Sequence, residues 1–142
     1  MTAREYLGQA YRLKQWIRSL TQEINTMREM AVSISSAGFD MSYNPNRATE
    51  APYVKALEKI REYEEKLAVK IAKLVAIENE IDSVIDRLED PDERMVLHYR
   101  YINNYSWTRI GEEMAADSHT VRRWHDRALA HVQVPEEEES LI

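Results

Sequence analysis

Two adjacent arginines near the end of the chain, Arg122 and Arg123, follow Ser118 and His119 by one helical turn. On a helix these four side chains share one face, because residues i and i+4 lie above one another. An arginine can donate two parallel hydrogen bonds to the major-groove edge of guanine, and the groove is wide enough for a single helix. The chemistry this pattern offers is therefore recognition of duplex DNA. Trp107, Thr108, Thr120 and Arg127 are candidates for contacts to the phosphate backbone, which set register without reading sequence. Inward packing of Trp107 stays open at this point, and so does a plain surface role for His119. A histidine near the positive end of a helix has its charged form disfavoured. The competing reading of the whole stretch is an ordinary surface helix with arginines on its wet side.

The elements that would position these residues are three short helices, expected over 91–102, 107–115 and 118–132. Ile110 and Met114 lie one turn apart and can meet Val121 and Trp124 of the next helix. Gly111 is expected where the last two helices approach most closely, since glycine costs about 1 kcal/mol of helix propensity against alanine. Asp117 can cap the last helix by accepting first-turn N–H groups. Asp90, Pro91 and Glu93 read as the cap, first residue and acidic first turn of the preceding helix. Met95, Val96, Tyr99 and Ile102 give that helix its inward face.

The segment YINNYSWTRIGEEMAADSHTVRRWHDRALAHV resembles the promoter-reading helix-turn-helix of bacterial sigma factors, the region-4 type. Tyr105, Ser106, Ile110, the triplet Thr120-Val121-Arg122 and the triplet Arg127-Ala128-Leu129 carry the likeness. One departure is Ala115, at the turn position usually held by glycine. With its long helical first half, the whole layout resembles the ArpU/RinA-type late-transcription regulators of phages and prophages. That resemblance implies a phage late-gene activator in a bacterial cytoplasm, working near a promoter with the help of host RNA polymerase. No segment resembles the sigma region that melts promoters, so a complete sigma factor is not expected.

The first half has the spacing of a coiled coil. Thr2 and Glu5 are placed as a capping box. Ala3, Tyr6, Ala10, Leu13, Ile17, Leu20, Ile24, Met27 and Ala31 then follow steps of three and four. This helix is expected to fade after Ser33. Gly38, Asn44-Pro45-Asn46 and Pro52 punctuate a connection over 35–52, with Phe39, Met41 and Tyr43 as anchors. A second helix is expected over 53–88, with the stripe Leu57, Ile60, Leu67, Ile71, Leu74, Ile81, Ile85 and Leu88. Glu64 and Glu78 fall on that strict seam, and Tyr63 and Ile77 beside them can replace them. About 36 residues at 1.5 Å each would extend roughly 54 Å, more than the first helix can cover, so self-association is expected, most simply as a dimer.

The expected fold is therefore all-α: a long coiled-coil hairpin over 1–89, a three-helix module over 90–134 and an acidic tail over 135–142. The 142 residues include three glycines, four prolines and no cysteine. Disulfides and thiolate chemistry are excluded, and a loop-rich fold is disfavoured. The N-terminus is charged from Arg4, no apolar run has membrane-spanning length, and no membrane partner is expected. The four histidines lack metal-ligand spacing, and no phosphate loop or nucleophile elbow is present, so neither cofactor, metal nor enzymatic activity is expected. The net charge of −6 argues against a general nucleic-acid coat. Residues 118–132, with three arginines against Asp126, hold a local positive face suited to a specific site. Two alternatives use the same parts: a DNA-packaging recognition subunit of small-terminase type, and a coiled-coil adaptor that binds protein and does not read DNA.

Overall fold

A computed structural model describes residues 1–40 and 50–136, and these are all-α. The helices are α1 (Ala3–Leu7), α2 (Gln9–Asp40), α3 (Glu50–Asp86), α4 (Pro91–Leu97), α5 (Trp107–Met114) and α6 (Ser118–His131). No helix among the described residues is long and apolar enough to cross a membrane.

Thr2 caps α1 through the N–H of Glu5, as the sequence indicates. The first helix is interrupted once, at Gly8, before α2 begins. It does not fade after Ser33: α2 runs on to Asp40. Serines and one glycine lower helix propensity without forbidding it, and no proline intervenes before Pro45. Pro52 falls inside the first turn of α3, where the missing N–H would have had no partner. The anchoring expected of Phe39, Met41 and Tyr43 lies outside the described residues, as does most of the acidic tail.

The chain forms two compact units, one of Gln15–Ile71 and one of Met1–Lys14 with the chain from Ala72 onward. In the first, Ile24 and Ala31 of α2 are buried with Ile60 of α3, flanked by Met27, Tyr53, Ala56, Tyr63 and Leu67. The seam of α3 thus takes Tyr63 where the strict pattern would place Glu64. Leu57 and Ile71, expected on the seam, are 45% and 44% exposed. Shifting the stripe by one position leaves Glu64 at the surface, paired with Arg28.

The second unit has one continuous core. Tyr6, Leu7 and Ala10 share it with Ile77, Ile81 and Ile85 of α3, Val96 and Leu97 of α4, and Ile110, Val121 and Ala128 of α5 and α6. Packing therefore does not break at 89/90, where the sequence suggests a boundary. The start of the chain and the end of α3 supply apolar surface that three short helices cannot supply for themselves. Lys14 reinforces this join. Its ammonium donates to the carbonyl of Ile102 (2.6 Å) and to Asn104 Oδ1 (3.0 Å), and pairs with Glu78 at 3.2 Å.

The expected continuous helix over 91–102 is α-helical only to Leu97. His98–Ile102 forms a wider π-helical turn, with Asn103 N–H bonded to the His98 carbonyl at 3.1 Å. Asn104 then adopts a left-handed conformation (φ 57°) that lets the chain turn into α5.

Ala115, after α5, is also left-handed (φ 53°, ψ 46°), so the usual glycine position is held by alanine in the glycine conformation. Ala116 N–H closes the turn on the Gly111 carbonyl at 2.9 Å, in a Schellman-like arrangement. This explains Gly111 differently from the sequence expectation. A Cβ there would lie 2.6 Å from the Ala116 carbonyl oxygen, so the turn's own backbone, not the neighbouring helix, excludes a side chain. Gly111→Ala is expected to lower stability by about 1–3 kcal/mol of overpacking, offset by about 1 kcal/mol of helix propensity. Thermal unfolding of the variant should show a reduced Tm; an unchanged or raised Tm would mean that the turn yields freely.

Candidate nucleic-acid interface

The exposed face of α6 follows from what its other face buries. Val121, His125 and Ala128 are buried, and Trp124 and Leu129 pack partly against the same core. Ser118, His119, Arg122 and Arg123 are left exposed. The helix begins at Asp117, whose Oδ1 accepts the Thr120 N–H at 2.7 Å. This backbone hydrogen bond, supported by the Thr120 hydroxyl, holds the Asp117 carboxyl below its usual range. Thr120 is thereby engaged in the cap. Thr108, near the start of α5, is exposed.

Trp107 does pack inward in part. Its ring meets His125 edge-to-face, with centroids 4.8 Å apart. Arg100 lies over the indole at 4.2 Å, and Arg122 reaches to 5.6 Å from its centre. Cation–π contacts of this kind contribute about 0.5–1 kcal/mol at exposed sites. They connect the exposed face of α6 with the start of α5 and the π-helical turn.

Arg127, expected on the phosphate backbone, is 52% exposed and also engaged within the protein. Its Nε donates to Glu93 Oε1 at 3.1 Å, and its guanidinium stands 3.7 Å from Asp90. Glu93 is 2% exposed and also accepts from His131 Nδ1 at 2.9 Å. A buried carboxylate is tolerated only where such partners compensate its desolvation. An acidic first-turn residue reads as solvent-exposed in a sequence, and nothing in its spacing signals this burial.

His125 is the second residue whose role the sequence conceals. It is 2% exposed and stacks with Tyr101 at 5.6 Å between centroids. Its Nδ1 faces Asp126 Oδ1 at 3.3 Å, and its Nε2 lies 2.7 Å from the Tyr101 hydroxyl. Because the carboxylate can only accept, the network assigns the proton to Nδ1, and the Tyr101 hydroxyl donates to Nε2. Burial lowers the His125 pKa from 6.5, with Asp126 opposing and Arg4 and Arg100 assisting the shift.

A histidine whose folded-state pKa is depressed binds its proton first in the unfolded chain. Stability should thus be complete above pH about 6.5 and fall as the pH drops from there through the depressed value. Thermal unfolding between about pH 7.5 and pH 5.5 would show it as a declining Tm (a range set by roughly one unit either side of the histidine pKa). The decline should be shallower in His125→Phe, which keeps a ring but cannot titrate. An equal decline in both proteins would assign the effect to other groups.

Residues 85–133 match the family of Sigma-70, region 4, a span that covers the end of α3, the π-helical turn and all of α4, α5 and α6. No curated protein and no solved structure matches the chain. The C-terminal part of this protein therefore carries a helix-turn-helix of the sigma region-4 type, a DNA-binding module.

Proposed function

We propose that this chain is a sequence-specific double-stranded DNA-binding transcription regulator. The observation that carries the reading is the outward face of α6, where Ser118, His119, Arg122 and Arg123 stand free of the core in a segment matching sigma region 4. Arg122 and Arg123 read base edges, each able to form a bidentate pair with guanine. Ser118 and His119 extend the reading toward the start of the helix. Trp107, Thr108, Thr120 and Arg127 meet the backbone, Thr120 from the cap of α6 and Arg127 beside its pair with Glu93. The resemblance to ArpU/RinA-type regulators extends the proposal to activation of phage or prophage late genes in a bacterial cytoplasm, together with host RNA polymerase.

The unit of Gln15–Ile71 serves self-association in this reading, most simply as a dimer. Val54, Leu57 and Ile71 of α3 support it, because they lie exposed at helical spacing beside the seam already filled by α2. Two linked modules would read a longer site and gain effective concentration. A fragment of residues 90–142 is a poor test of this, since it lacks the core contributed by Tyr6, Leu7, Ala10 and Ile81. Sedimentation of the full chain is expected to show a dimer that Leu57→Glu/Ile71→Glu converts to monomer; a monomeric wild type would remove the self-association role.

Selection from a random duplex library tests the DNA reading directly. The wild type should enrich one motif, and Arg122→Ala/Arg123→Ala should lose it. At about 1–3 kcal/mol for each bidentate pair, affinity for the motif should fall by roughly 30-fold or more. Absence of enrichment by the wild type would favour a protein-binding role.

A further inference from the structure

A cleft of about 610 Å³ opens beside the start of α5, outside the reading face of α6. Arg4, Tyr11 and Arg12 line it from α1 and α2, Arg100 from the π-helical turn, and Trp107 and His125 from α5 and α6. No aspartate or glutamate among the described residues lines it, although acidic residues outnumber basic ones in this protein by 25 to 19. Arg4, Gly8, Tyr11 and Arg12 are spaced by four, three and one, so one face of the N-terminal segment is turned to the cleft. Its opposite side buries Tyr6, Leu7 and Ala10 in the core.

The cations here differ from Lys14 and Arg127 of the same unit. Lys14 and Arg127 are fixed by partly or fully buried acids. Among the described residues Arg4 pairs only with Asp126, at 3.8 Å, with both side chains about 70% exposed. An exposed pair of that kind contributes about 0–1 kcal/mol and does not keep a guanidinium from a better partner. Arg12 is exposed on the same side. The cleft is also continuous with the reading face, since Arg100 and Arg122 both lie over the ring of Trp107. His125 on its floor is kept neutral by burial, so the positive charge of the cleft comes from its arginines.

We infer that this cleft is a second DNA-binding site, which takes backbone phosphates of the duplex flanking the element read by α6. The inference rests on the DNA reading above. It gives the N-terminal segment, which lies outside the region matching sigma region 4, a direct part in binding. Arg4 and Arg12 hold phosphates, and Arg100 with Trp107 carries the strand from Arg122 toward them. Such contacts strengthen binding equally for all flanking sequences and leave base preference untouched.

The test compares the full-length wild type with Arg4→Gln/Arg12→Gln on two duplexes bearing the same selected element. One duplex ends at the element, and the other extends it by about one helical turn, ~10 base pairs, on each side. The wild type should gain affinity from the extension, and the variant should lose that gain with its base preferences unchanged. The slope of log K against log salt on the long duplex should flatten by about 1.8, at ~0.9 for each phosphate that the variant leaves unneutralised. Circular dichroism melting of both proteins checks that the exposed substitutions leave the fold intact. A variant that keeps the gain and the slope overturns the second site while leaving the reading by α6 in place. A wild type that binds neither duplex overturns the DNA reading itself, and the second site with it.

Discussion

Burial of one side of α6 is the constraint on which the remaining features depend. Val121, His125 and Ala128 must leave water together, and burial of the Val121 side chain alone contributes about 1.5–3 kcal/mol. A helix of 14 residues with that side sealed has only one orientation left for Arg122 and Arg123. Ile110 beneath it, the cap at Asp117 and the left-handed Ala115 all hold this orientation. The short reach of the Ala115 turn, in its turn, is what requires Gly111 to lack a side chain.

The module cannot seal that face with α4 and α5 alone. It draws on Tyr6, Leu7 and Ala10 from the start of the chain and on Ile77, Ile81 and Ile85 from α3. Elements distant in sequence are thereby made part of the same folding unit. Lys14 fixes the join by satisfying the Ile102 carbonyl where the backbone leaves regular helical geometry. The π-helical turn widens the helix where Arg100 reaches Trp107 and Tyr101 reaches His125. A local irregularity in the backbone thus places two side chains that a regular helix would aim elsewhere.

Much of this was legible in the sequence because it depends on local spacing. The caps at Thr2, Asp90, Ser106 and Asp117 are short-range hydrogen bonds, and three of them could be named from residue type and position. The stripe from Tyr6 to Ala31 also held, since steps of three and four describe one helix face whatever it packs against. The α3 stripe was ambiguous for a physical reason. Two adjacent stripes are apolar, and only the partner helix decides that Tyr63, not Glu64, faces inward. His125, Glu93 and the service of Arg127 to Glu93 were illegible. Their burial depends on contacts between α6 and elements more than twenty residues away, and a polar residue with helical spacing reads as solvated until its partners are known.

The distribution of cations follows from the same distinction. A positively charged side chain in an acidic protein is available to DNA only if no nearby carboxylate neutralises it at lower cost. Glu93 neutralises Arg127 because the carboxylate is buried and strongly needs a donor. Glu78 holds Lys14 in a similar, partly buried setting. Arg122 and Arg123 project from the exposed side of α6, and among the described residues Arg4 pairs only with the solvated Asp126. Burial of the acid, more than the number of arginines, therefore separates cations held within the protein from those left in solvent. This sorting leaves Arg4, Arg122 and Arg123 exposed in a chain of net charge −6.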